Sequence, residues 1–306
     1  MRSKISLLLI LALSLSMLFS CGKNDTGESV SFVDSLGNAV ALDGAPERVA
    51  VLTSSLADMW LLSGGEVSIS VGESSEREIL PDDTLLVDTG AGKHVSAELL
   101  VSYKPDFVIG SADIDSQRDV AKTLRAAGIP CALFRVDSFS DYLSVLDILT
   151  DITEDKEAYQ LFGADIKEKI DALLLSIPDS ECDILFIRAA TSAKSTKAKS
   201  ADQHFVAEML SELGAHNIAD DAPILLDGLN MESIIAADPD IIFVSAMGDE
   251  AAVREYMDGV FEESAWSTVS AVKNGECHYL PKEYSQFKPN AEWYEAYLML
   301  WEILYA

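Results

Sequence analysis

Two stretches of this 306-residue chain share one layout, and that layout limits what the chain can fold into. The first runs from Ser96-Ala97-Glu98 to Lys104-Pro105-Asp106-Phe107-Val108-Ile109; the second runs from Asn230-Met231-Glu232 to Asp238-Pro239-Asp240-Ile241-Ile242-Phe243. Each reads as a short helix with a glutamate in its first turn. Proline ends the helix, because it lacks the N–H and pushes the preceding residue out of the helical region. The apolar run that follows is too short for a helix and reads as a strand buried on both faces. Glutamate and proline keep the same offset in both copies. A second echo, Leu56-Ala57-Asp58-Met59 ending at Gly64, recurs as Val206-Ala207-Glu208-Met209 ending at Gly214. A duplicated helix–turn–strand unit implies two similar α/β lobes.

The amino terminus is set apart from the fold. Arg2 and Lys4 precede an apolar run from Ile5 to Phe19, which is the layout of a secretory signal and too short to span a bilayer. Residues 1–20 are therefore expected to be removed. Leu18-Phe19-Ser20-Cys21 resembles the lipobox of bacterial lipoproteins, which implies a lipid on Cys21 and an extracytoplasmic, membrane-anchored protein. Residues 21–29 then form a polar tether.

The amino-terminal lobe is expected over residues 30–150. It opens with a hairpin from Val30 to Leu42 and continues through a buried strand from Val49, a polar Thr53-Ser54-Ser55 loop and a helix. A linking helix is expected over 151–178. There Ala158, Phe162, Ile166, Ile170, Leu173 and Ile177 recur at steps of three and four and draw one apolar stripe. A single rod from Glu154 to Ile177 would span roughly 35 Å. The carboxyl-terminal lobe, 179–306, starts with a strand at Asp183 and closes with a helix carrying Trp293, Tyr297, Trp301 and Leu304.

A formal charge of −29 argues against nucleic acid as a partner. Cys131, Cys182 and Cys277 lack CxxC spacing and give no metal-knuckle signal; Cys131 and Cys182 read as small buried hydrophobes. No nucleophile elbow, zincin, phosphate-loop or dinucleotide motif is present, so no enzyme activity and no intrinsic cofactor are expected. The informative feature is a local reversal of charge. Arg188, Lys194, Lys197, Lys199 and His204 face one acid, Asp202, in the loop after a strand, where open α/β sheets bind ligands. Lys93 and His94 occupy the comparable loop of the other lobe. An anion held between the lobes would meet cations from both.

Val33-Asp34-Ser35-Leu36-Gly37, Pro46-Glu47-Arg48-Val49, Tyr103-Lys104-Pro105-Asp106 and Leu213-Gly214-Ala215-His216-Asn217 resemble signatures of a substrate-binding class of bacterial ABC importers. That class carries ferric siderophores, haem and cobalamin. The resemblance implies two Rossmann-like lobes with parallel sheets, one long joining helix, a cleft that closes modestly, and a monomer working with a permease and its ATPase. It also implies that Glu98 and Glu232 dock on permease arginines.

From position within such a fold, the cleft is expected to be lined by Thr53, Ser54, Lys93, His94, Ser111, Arg188, Lys199, His204, Tyr284 and Phe287. Haem would need an axial ligand, for which His94, His204 and Tyr284 are candidates. The basic island favours a carboxylate-bearing chelate, such as a ferric siderophore or haem, over a nearly neutral cargo. Two alternatives remain: a carrier of bare zinc or manganese, using His94 and His204 with a third ligand not evident, and an extracytoplasmic enzyme on the same scaffold.

Overall fold

The computed structural model describes residues 29–88, 94–180 and 182–306. It opens with an antiparallel hairpin of β1 (Val30–Val33) and β2 (Ala39–Leu42). The turn passes through Gly37 at φ +80°, a conformation glycine takes without strain. The first lobe continues with β3 (Val49–Val51), α1 (Ser54–Leu62), β4 (Ile69–Ser70), α2 (Gly72–Glu76) and β5 (Leu85–Leu86). It is completed by α3 (Ala97–Tyr103), β6 (Phe107–Ser111), α4 (Asp115–Ala126) and β7 (Cys131–Phe134). The strand order is β5-β4-β3-β6-β7, and every pairing is parallel.

The chain between the lobes is helical from Lys156 to Leu174, with one π turn inside that run. Helix α5 (Phe139–Thr153) starts on a reciprocal Ser138–Asp141 cap and stops at Glu154, which adopts a left-handed φ of 60°. Asp155 then caps a new helix by accepting the Ala158 N–H at 2.9 Å. That helix runs through α6 (Lys156–Tyr159), a π turn (Gln160–Ala164) and α7 (Asp165–Leu174). The expected stripe survives, with Ala158, Ile166 and Ile170 buried and Phe162, Leu173 and Ile177 packed against the same core. All six stripe residues follow the break at Glu154: five lie on the helix that Asp155 caps, and Ile177 lies just beyond its end.

The second lobe holds β8 (Asp183–Ala189), β9 (Lys197–Ala198), α8 (Phe205–Glu212), β10 (His216–Asn217), α9 (Ile218–Asp221), α10 (Ile224–Asp227) and α11 (Met231–Ala237). It ends with β11 (Ile241–Ala246), α12 (Glu250–Phe261), α13 (Ser270–Asn274), β12 (Cys277–Leu280), α14 (Lys282–Ser285) and α15 (Trp293–Tyr305). Its parallel order is β10-β8-β11-β12, with β9 antiparallel on β8.

The repeated sequence unit is a repeated structural unit. Ser96 and Asn230 cap α3 and α11 through their side chains, and both helices end on a left-handed residue, Lys104 at φ 51° and Asp238 at φ 47°. The aspartate after each proline then pins the neighbouring strand. Asp106 accepts the N–H groups of Glu47 and Arg48 at 2.7 and 2.9 Å, and Asp240 accepts that of Asp183 at 3.2 Å. The strands that follow, β6 and β11, each pair with the first strand of their sheet and are buried on both faces, as expected.

One apolar core runs through both lobes. Phe107 and Phe134 from the first sheet, Phe186 from the second, Phe205 on α8, Tyr142 on α5 and Trp293 on α15 belong to it. Trp293 is fully buried, with ring centroids 5.7 Å from Phe139, 6.2 Å from Tyr142 and 5.8 Å from Phe205. Trp293→Ala is expected to cost about 3–5 kcal/mol of unfolding free energy, the range for removing a large core aromatic. Urea denaturation followed by circular dichroism measures it, and a loss near zero would mean the lobes do not share this core.

Candidate functional site

A cleft of about 700 Å³ opens where the carboxyl ends of β3, β6, β7 and β8 meet the loop after α14. This is where open parallel sheets leave room, because each strand hands over to a loop. From the first lobe come Thr53, Ser54 and Ser55, which lead into α1, together with Ser111, Asp113 and Glu73. The side chain of Thr53 caps α1 by accepting the Leu56 N–H, so the helix N-terminus and its partial positive charge face the cleft. From the second lobe come Arg188, near the end of β8, and Gln286, Phe287, Lys288 and Asn290.

The cations of the cleft are partly stripped of water. Arg188 is half-buried, and among the described residues no carboxylate lies within ion-pair reach of it. Burial pulls its guanidinium below the ordinary arginine value. Antiparallel β9 sets Lys197 directly opposite Arg188, so the two cations share one face of the sheet. Lys288 is also half-buried. Its ammonium sits 4.4 Å from the Phe205 ring centre and 3.7 Å from Asp137 Oδ1, and burial lowers its pKa against the opposing pull of Asp137. Of the cleft acids, Asp113 is paired with Arg135 at 2.6 Å.

The same loop ties the lobes together. The Lys288 N–H donates to Ser55 Oγ at 3.3 Å; Asn290 Nδ2 donates to the Ser55 carbonyl at 2.9 Å and to Asp58 Oδ2 at 2.8 Å. Arg77 stacks on Phe287 at 4.6 Å.

Five of the residues expected from sequence line this cleft together: Thr53, Ser54, Ser111, Arg188 and Phe287. Lys199 does not line it; it lies half-buried beyond Arg188, its pKa lowered by burial and by Arg188 and Lys197. His204 stacks on Phe205 at 4.8 Å with the tilted Phe186 ring 4.9 Å away, and its Nδ1 accepts the Val206 N–H. That aromatic cage, with Arg188, Lys288 and Lys199 nearby, pushes its pKa down to about 3. Tyr284 packs against the core beside Glu292 and Glu295, and His94 is exposed ahead of α3. Neither is among the lining residues. Lys93 and Cys21 lie outside the described residues, as does the signal segment.

Gln286, Lys288 and Asn290 were not anticipated. One signal did point there: Lys288 is a cation in the segment after a strand's carboxyl end, the logic that selected Arg188. Among the described residues no three of His, Cys, Asp and Glu converge as metal ligands. The three cysteines among the described residues are free, and burial pushes the thiol of Cys131 up to about 12 and those of Cys182 and Cys277 up to about 11.

Two pinned lobes with a polar, cationic cleft between them match a sequence family. The profile of that family, described as periplasmic binding protein, covers residues 49–284. The chain belongs to the periplasmic binding protein family. An Fe(3+)-citrate-binding protein, YfmC of Bacillus subtilis (strain 168), is 24% identical over 269 residues, covering 84% of this chain and 80% of that one. Among solved structures, the periplasmic heme-binding protein RhuT from Roseiflexus sp. RS-1 superimposes with a TM-score of 0.67 at 20% identity, covering 85% and 98% of the two chains. A possible iron-binding, periplasmic solute-binding protein from Staphylococcus epidermidis ATCC 12228 gives 0.68 at 18% identity, covering 86% and 100%. At these identities the structural likeness speaks for the fold: parallel sheets flanked by helices in a binding-protein architecture.

Within this binding protein, the His204 imidazole is expected to stay neutral down to acid pH. Its folded pKa lies below the unfolded 6.5, so its contribution to stability is lost as pH falls from about 6.5 towards 3. NMR of the imidazole resonances should show no titration between pH 5 and 8; a midpoint near 6.5 would place His204 in water.

Proposed function

We propose that this protein captures a ferric complex of a carboxylate-bearing chelator outside the cytoplasm and hands it to an ABC permease. The observation that carries this reading is Arg188, a partly dehydrated guanidinium on the cleft wall with no carboxylate partner among the described residues. A buried cation without a counterion is costly, and an anionic guest supplies what the protein leaves out. Lys288 and the N-terminus of α1 add positive potential at the same wall. The volume falls inside the usual 300–1,000 Å³ or so of small-molecule sites. The iron-citrate relative supports the same cargo class. Haem has less support, because the lining holds no histidine or tyrosine among the described residues and its methionine, Met59, is buried in the core.

Delivery rests on Glu98 and Glu232. Both are exposed, and each is the second residue of its helix after an equivalent cap. Each of these helices leads into a parallel strand, so its start lies at the carboxyl edge of its sheet, the edge that faces the cleft. Two acidic knobs flanking one opening suit a permease with a pair of basic sockets. Anchoring through a lipid on Cys21 would keep the protein beside that permease. Among the described residues, no helix is long and apolar enough to cross a membrane. In this reading the protein does no covalent chemistry; a modest closure on the chelate favours the docking-competent shape.

Ferric citrate titrated against intrinsic tryptophan fluorescence tests the capture step. Arg188→Ala should weaken binding roughly 30-fold or more, the effect of truncating one side of a desolvated charge pair. An unchanged affinity would remove the basis of the reading. For delivery, the double variant Glu98→Ala, Glu232→Ala should bind ferric citrate normally yet abolish uptake of radiolabelled iron by whole cells. Normal uptake would exclude the two glutamates from docking.

A further inference from the structure

The wall that carries the cations also carries acceptors with nothing to accept. Asn290 is fully buried and lines the cleft. Its Nδ2 is committed twice, to the Ser55 carbonyl and to the Asp58 carboxylate, while its Oδ1 has no hydrogen-bond partner among the described residues. The amide cannot be turned round, because that would aim its oxygen at two other acceptors. Asn290 also holds a left-handed backbone at φ 51°, a conformation asparagine tolerates better than most residues. Gln286, on the other side of Lys288, lines the same cleft and likewise buries an unpaired Oε1. A buried acceptor without a donor costs about 1–3 kcal/mol. Two of them beside one lysine form a site with a missing half.

We propose that the guest presents hydrogen-bond donors as well as carboxylates, the donors reaching Asn290 Oδ1 and Gln286 Oε1 while the carboxylates meet Arg188 and Lys288. This rests on the proposed capture of a carboxylate chelate and narrows it. The fitting class is a small hydroxycarboxylate complex of iron, whose free hydroxyls or metal-bound waters donate. Haem fits poorly, since its carboxylates lie at the porphyrin edge while its one donor, a water on the iron's axial face, stands apart from them. Asn290 gains a second role: the side chain that reads the guest's donor also bonds Ser55 and Asp58 across the gap. Occupancy and lobe contact are thereby linked through one amide.

The test is calorimetric titration of the wild type, Gln286→Met and Arg188→Ala, each with ferric citrate and with haemin. Gln286→Met removes the acceptor at nearly constant size and leaves the cross-lobe bonds of Asn290 untouched; thermal melting confirms that it folds. The wild type should bind ferric citrate at least tenfold more tightly than haemin. Gln286→Met should weaken ferric citrate roughly tenfold and leave haemin unchanged. Haemin bound as tightly as ferric citrate, or ferric citrate unaffected by Gln286→Met, overturns the inference, the acceptors then being served by ordered water alone. In that event a loss of both probes in Arg188→Ala still upholds carboxylate capture, so the two failures are separable. Binding of neither probe by the wild type would overturn both.

Discussion

The packing of Trp293 between elements of both lobes is the contact on which the architecture depends. Its ring lies against Phe139 and Tyr142 on α5 and against Phe205 on α8, and Tyr297 follows one turn later on the same helix. Buried aromatics of this size remove about 150–250 Å² each from water, roughly 4–6 kcal/mol apiece as an upper bound. Sliding the lobes apart would expose that surface. The cleft is therefore a standing space, set by a core behind it. At its mouth the chain offers Thr53, Ser54, Ser55 and Ser111, side chains too short and polar to fill the gap.

The connecting helices show how the fold accommodates this spacing. The π turn at Gln160–Ala164 shifts the backbone ladder by one residue, and the hydroxyl of buried Tyr142 donates to the Phe162 carbonyl at 2.9 Å. A carbonyl disturbed by the bulge is thus bonded from α5. Insertions of this kind recur at functional points of helices because they re-aim side chains without breaking the helix. Here the bulge lies between α6, beside the first lobe's α1 at Asp58 and Gly64, and α7, which packs on the second lobe's α15.

How much of this the sequence carries depends on whether the determining physics is local. Helix stop, strand burial and repeat are local, so Pro105-Asp106 and Pro239-Asp240 announced twin sheets. Position after a strand is nearly local, and it found Thr53, Ser54, Ser111 and Arg188. The Gln286–Asn290 loop has no period and no motif; its importance comes from a contact with Ser55 more than two hundred residues away. His204 misled for the opposite reason. It belongs to the basic island by sequence, yet Phe186 and Phe205 enclose it, and only tertiary packing reveals that. The helix after Glu154 was legible because its apolar stripe from Ala158 to Leu173 is local.

A chain of net charge −29 is a poor attractor of anions at a distance, and screening confines any help from single cations to about 8 Å in physiological salt. Recognition of an anion must then be settled at contact, where low local dielectric strengthens each interaction. The cleft wall is arranged for that. Among the described residues, Arg188 stands without a carboxylate and Asn290 and Gln286 keep oxygens without donors, all in the same space. Free protein thus carries unsatisfied groups of both polarities, and a guest that answers both relieves them together. Because Asn290 is simultaneously bonded across the gap, a guest of the proposed kind would favour the joined arrangement of the lobes over the parted one. A permease that reads the spacing of Glu98 and Glu232 would then be reading occupancy of the cleft.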